Sequence, residues 1–167
     1  MNDSPTIRDA EPADAPAITA IYNDAIARTD ASLWFEPRPE SEAADKIAAA
    51  SARHPYVVAE SDGRVLGAAW VSPWNARDGY DRTVEFTVYI AEPARGRGIG
   101  RLLYAELIER ARAADVRDII AGLTVPNNPS ERLHESMGFQ RVGYFPGIAE
   151  KFGKRLDVAY FQLRLEG

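Results

Sequence analysis

Residues 83–100 read TVEFTVYIAEPARGRGIG. From Val84 to Ile90 the pattern alternates: Val84, Phe86, Val88 and Ile90 share one face, Glu85, Thr87 and Tyr89 the other. That is the period of a strand. Arg95-Gly96-Arg97-Gly98-Ile99-Gly100 then leaves the strand, and a helix opens at Arg101. Backbone N–H groups without Cβ obstruction form an anion-binding concavity, and a helix N-terminus adds positive potential. Arg95, Arg97 and Arg101 can add bidentate contacts to phosphate oxygens. The stretch is expected to bind a diphosphate.

The spacing narrows the choice of diphosphate. The glycines fall at i, i+2 and i+4, not as G-x-G-x-x-G, and they come after a hairpin, not after a first βαβ strand. A dinucleotide-binding fold is therefore disfavoured. No Gly-Lys-Ser/Thr follows, which excludes a P-loop. Glu85 is the other unusual residue. Acids are depleted in central strands because burying an unpaired carboxylate is costly. Two readings stay open: a buried ion pair or open sheet face, or a carboxylate of raised pKa poised as a base.

Outward from this stretch, Thr6–Asp9 reads as a first strand. Ile18, Ile21, Tyr22, Ala25 and Ile26 make one apolar face of a helix that ends near Arg28. Thr29–Pro39 has no period; its Leu33, Trp34 and Phe35 either tuck over the core or line a pocket. Glu40–Arg53 is an alanine-rich helix stopped by His54-Pro55. Tyr56–Glu60 and Val65–Val71 form a hairpin around Asp62-Gly63. Ser72–Arg82 is a loop with two aromatics and two arginines, suited equally to ligand contact and to solvent. Leu103, Leu107, Ile108 and Ala111 form the stripe of a helix over Arg101–Ala114, and Arg117–Thr124 is a strand. A short helix carrying Leu133, His134 and Met137 is capped by Ser130 or Asn128 and stopped by Gly138. Phe139–Tyr144 and Val158–Leu165 are the last strands, joined through the basic turn Lys151–Arg155.

The chain has 167 residues, which suits one domain spanning 1–167. A net charge of −5 argues against a nucleic-acid partner. The absence of cysteine removes disulfides and any cysteine nucleophile, and the two histidines lack metal-ligand spacing, so no metal is expected. No apolar run approaches the roughly 20 residues of a membrane span, so no membrane is expected. The polar, acidic start is unlike a signal peptide, and the cytoplasm is the expected compartment.

Arg95–Gly100 resembles the R/Q-x-x-G-x-G/A motif of the GNAT superfamily of N-acetyltransferases, and Asn127–Phe139 resembles its N-x-x-A/S-x-x-L-Y/H-E-x-x-G-F signature. The order of elements agrees over essentially the whole chain. Pro73–Arg77, Tyr80, Thr83–Glu85, Leu133–Glu135, Lys151–Gly153 and Leu156–Val158 are similar to the phosphinothricin acetyltransferase branch. The resemblance implies an α/β (α+β) fold with a mixed central sheet flanked by helices. It also implies acetyl-CoA as co-substrate, and direct transfer of the acetyl group to a small amino acid or analogue: phosphinothricin, methionine sulfoximine or methionine sulfone. A homodimer is implied as well.

By the same resemblance Glu85 is the general base. His134 either takes part in proton transfer or is a partly buried ring bonded to a backbone carbonyl. Val88, Tyr89 and Ile90 would pair with the pantetheine and supply an oxyanion donor. Arg95, Gly96, Arg97, Gly98, Ile99, Gly100 and Arg101, with Asn127 and Ser130, would hold the rest of the cofactor. Asn75, Arg77, Tyr80, Thr124 and Val158, with Leu33, Trp34 and Phe35, would line the acceptor pocket. Asn75 stands where a close homologue of the branch has lysine, which weakens one anion contact and makes a phosphinate less fitting than a neutral or sulfone-bearing acceptor. Rival readings are an acetyltransferase for another amine, such as a protein N-terminus or a polyamine, and an acetyl-CoA-binding module without turnover. Arg77 and Arg82 argue against a polyamine site, and the presence of Glu85 and His134 argues against the inert module.

Overall fold

A computed structural model describes residues 4–165. In chain order the elements are β1 (Thr6–Asp9), α1 (Ala15–Arg28), α2 (Glu40–Ala48), β2 (Tyr56–Ser61), β3 (Arg64–Pro73), β4 (Thr83–Ile90), α3 (Ile99–Ala113), β5 (Asp118–Val125), α4 (Asn128–Ser136), β6 (Gln140–Lys151) and β7 (Lys154–Arg164). The strands form one seven-stranded sheet in the order β1-β2-β3-β4-β5-β7-β6. The expected mixed sheet flanked by helices is the observed architecture.

Alternation along the strands sorts the core into two layers. Val57, Ala59, Ala69, Val71, Val84 and Phe86 face Leu103, Tyr104 and Leu107 of α3. Tyr56, Val58, Ala68 and Trp70 face Ala15 and Ile18 of α1 and Ala43 and Ile47 of α2. Glu85, Thr87 and Tyr89 belong to this second face, because their strand neighbours belong to the first.

The join between β4 and β5 is the feature that makes a site. It is the sheet's parallel pair, and it holds for three registered pairs, Thr83↔Asp118 to Glu85↔Ile120. Beyond Glu85, β4 stays paired with β3 as far as Ile90, and β5 stays paired with β7 as far as Val125. The sheet therefore forks just past Glu85.

Three local expectations need correction. α2 ends at Ala48, not Arg53; tight turns at Ala49 and Ala50 close it, and Ser51 bonds the His54 amide. The cap of α4 is Asn127, whose side chain accepts from the Ser130 amide at 3.3 Å. β6 runs on to Lys151 through Pro146 and Gly147, with a register shift between Phe145 and Ala149. Among the described residues, no helix is long and apolar enough to cross a membrane.

Candidate active site

The fork opens into a cavity of about 1140 Å³ that both faces of the sheet help to line. On the α3 side stand Gly96, Gly98, Ile99, Gly100 and Arg101, with Asn127 and Ser130 from the start of α4. On the α1 side stand Tyr22, Thr29, Asp30, Ala31, Trp70, Tyr89 and Thr124. Glu85, Val88 and Ile90 line the stretch between.

Gly96 and Gly98 have φ of +74° and +77°, a region that favours glycine, and a Cβ at either would meet nothing within 4 Å. The space over the turn is open, so the conformation has not been bought with packing. Gly98 caps α3, which leaves the first amides of that helix without intrahelical partners. The turn thus fits a diphosphate by backbone geometry. The arginines contribute less than their number suggests. Arg95 donates to the Ile90 carbonyl at 3.2 Å, Arg101 donates to Ser136 Oγ at 3.1 Å, and Arg97 does not line the cavity.

Glu85 is half-buried, and burial pushes its carboxyl above the ordinary carboxylate range, with no hydrogen bond or charged partner among the described residues offsetting it. A carboxyl of that kind beside a cavity is prepared to take a proton from a bound molecule.

Known proteins are similar to this chain in sequence and fold. The sequence model of the Acetyltransferase (GNAT) family matches residues 20–139. An L-methionine sulfoximine/L-methionine sulfone acetyltransferase of Pseudomonas paraeruginosa is 39% identical over 98% of this chain and 96% of its own length. The chain belongs to the GNAT family. Two solved structures carry the same fold. One is yncA from Salmonella typhimurium with its cofactor acetyl-CoA, at TM-score 0.94 and 36% identity over 98% of this chain and 95% of that one. The other is a GNAT superfamily phosphinothricin acetyltransferase from Sinorhizobium meliloti in complex with acetyl-CoA, at TM-score 0.93 and 34% identity over 98% and 89%. The chain is an acetyl-CoA-dependent N-acetyltransferase of the phosphinothricin acetyltransferase-like branch.

In this GNAT chain His134 is 1% exposed, and both ring nitrogens are engaged. Nδ1 lies 2.7 Å from the Ser130 carbonyl oxygen and Nε2 lies 3.0 Å from the Tyr104 hydroxyl. A carbonyl can only accept, so the proton is assigned to Nδ1, and Nε2 accepts from Tyr104 O–H. Burial lowers the His134 pKa, although the Ser130 bond opposes this, and it raises that of Tyr104. The pair is neutral near pH 7. Tyr104 lines the cavity too, and sequence reasoning missed it. Its one signal was a polar-tipped aromatic beside the apolar stripe of α3.

The acceptor residues divide. Thr124 lines the cavity, and Val158 is its registered neighbour on β7 but does not. Leu33, Trp34 and Phe35 are 43%, 50% and 67% exposed and do not line the cavity. Trp34 stacks under the Arg38 guanidinium at 4.1 Å instead, and the cavity wall is formed by Thr29, Asp30 and Ala31 just before them. Asn75, Arg77 and Tyr80 also stand off the cavity. Trp74 packs edge-on against Tyr160, Asn75 accepts from the Arg77 amide, and Arg53 holds Asp81, so the loop is held by contacts outside the cavity. Tyr22, Trp70 and Lys46 line the α1 side and carried no sequence signal beyond core or surface periodicity. No group of three or more His, Asp or Glu among the described residues could hold a metal ion.

Proposed function

We propose that this GNAT enzyme acetylates the α-amino group of a small amino acid or analogue of the methionine sulfone or methionine sulfoximine type, with Glu85 as general base. The observation that carries the reading is Glu85 itself, a carboxyl raised by burial at the fork of the sheet, beside a cavity that runs to an anion-binding turn. The relatives support the acceptor class, since the Pseudomonas paraeruginosa protein is named for methionine sulfoximine and methionine sulfone.

The acceptor arrives as an ammonium ion. Glu85 takes one proton, and the freed nitrogen lone pair attacks the thioester carbonyl carbon. The nitrogen is positively charged after attack; as the C–S bond breaks it gives up a second proton, and that proton ends on the departing sulfur, leaving the amide, the CoA thiol and the first proton on Glu85. Backbone amides near Tyr89 and Ile90 would face the oxygen that gains charge. His134 takes part in proton transfer through Tyr104, because its own nitrogens are already engaged. Asn75, Arg77 and Tyr80 reach the acceptor only if the 72–82 loop folds inward.

A homodimer belongs to the same reading. Val142, Phe145, Ile148 and Phe152 on β6 and its turn are large, apolar and 45–60% exposed, a patch suited to a second copy.

A thiol-release assay with acetyl-CoA over free amino acids, methionine sulfone, methionine sulfoximine and phosphinothricin tests the function. Turnover with a sulfone or sulfoximine is expected. Glu85→Gln should lower kcat/KM by about 10²–10⁴-fold, the usual worth of a general base. Full activity in that variant would remove the assignment.

A further inference from the structure

Lys151 ends β6 as a charged residue that is 2% exposed. Its ammonium donates to three backbone carbonyls: Ile26 at 2.6 Å, Thr29 at 2.8 Å and Ser32 at 2.5 Å. An ammonium has three donors and no acceptor, so the side chain is fully satisfied. Ile26 lies in the last turn of α1, where carbonyls lack intrahelical partners and the helix dipole favours a cation. The segment it grips is held elsewhere too. Thr124 Oγ1 donates to the Asp30 carbonyl at 2.8 Å, and the Tyr89 hydroxyl donates to that of Ala31 at 3.4 Å. Four consecutive carbonyls, Thr29 to Ser32, are each tied down by a side chain.

That segment is the wall of the cavity on the α1 side, through Thr29, Asp30 and Ala31. Its anchors Tyr89 and Thr124 lie on the sheet face that carries Glu85, whereas the diphosphate turn leads into α3 on the opposite face. The base and the 29–32 wall therefore bound the same half of the cavity. The amine must lie there if Glu85 is to reach it.

We propose that Lys151 is a positioning residue for the acceptor: by clamping the carbonyls of residues 26–32 it fixes the wall against which the amino acid is aligned to Glu85. The inference rests on the reading of Glu85 as base. Lys151 touches no reacting atom and acts through the loop.

The test compares the full-length chain with K151M, which keeps the apolar stem and loses all three donors, and with K151Q, which keeps two. In K151M the KM for methionine sulfone should rise at least tenfold while the KM for acetyl-CoA stays within twofold. Amide hydrogen exchange of residues 29–35 should speed up at least tenfold, with α3 unchanged. K151Q should fall between the two and serves alone if K151M does not fold. Equal rises in both KM values would mean general loosening and would overturn the proposal, as would either folded variant matching wild type in loop exchange. The exchange readout needs no turnover. Inactivity toward every acceptor would therefore count against the catalytic reading and leave the clamp to be judged on exchange.

Discussion

At the scale of single residues, the burial of Glu85 comes at a cost to the fold. Burial holds its carboxyl above the unfolded value of about 4.3. A raised carboxyl pKa means that the folded state favours the protonated form. Below the unfolded pKa the group carries no penalty; as pH rises through the folded pKa the penalty becomes complete. Glu85→Gln removes it. The variant should melt above wild type at pH 7–8, and the two melting curves should converge below about pH 4. A lower Tm for Glu85→Gln at pH 8 would show that the carboxylate has a stabilising partner after all. The acid limb of kcat/KM should likewise sit above the ordinary carboxylate range, read from initial rates between pH 4 and 9.

At the scale of elements, close backbone approach decides where the chain tolerates change. Gly67 pairs with Ile90 at the far end of β4, and a Cβ there would fall 2.7 Å from Ile90 Cδ1 and 3.1 Å from the Tyr89 carbonyl. Gly67→Ala should cost about 1–3 kcal/mol in urea denaturation, the usual price of overpacking. It should also weaken acetyl-CoA binding, since Tyr89 and Ile90 line the cavity. What the sequence makes legible follows the same division between local and distant causes. β1, α1, β4 and the glycine turn were legible because periodicity and turn chemistry act within a few residues. Sequence carries β6 only to Tyr144, because Phe145-Pro146-Gly147 looks like a breaker. Asp157 holds that kink, accepting from the Gly147 amide and the Tyr144 hydroxyl across the hairpin. Lys151 was read as part of a basic turn, because the carbonyls that bury it lie 119–125 residues earlier. Sequence leaves Leu33, Trp34 and Phe35 open between core cover and pocket lining, and the family resemblance draws them toward the pocket. The neighbours that line it, Thr29 to Ala31, are small or polar and give no compositional signal.

At the scale of the whole molecule, the apolar face of β6 and the fork in the sheet set the expectations. Ile148 is 60% exposed on β6. Ile148→Lys should convert a particle of twice the chain mass into one of single mass by light scattering, with folding intact by circular dichroism. A wild-type monomer at micromolar concentration would remove the dimer from the reading.

The fork has a mechanical consequence. Three registered pairs hold β1–β4 to β5–β7–β6 along the sheet, helped by Tyr104 against His134 and by the bonds of Thr124 and Lys151 to residues 26–32. In its strand pairing the sheet is therefore two leaves joined at one end, and whatever fills the gap becomes a further strut between them. Acetyl-CoA seated there would carry load as well as an acetyl group. Saturating acetyl-CoA should slow amide exchange in β7, whose strand does not reach the diphosphate turn, and protection confined to residues 88–101 would show that the leaves are already locked without it.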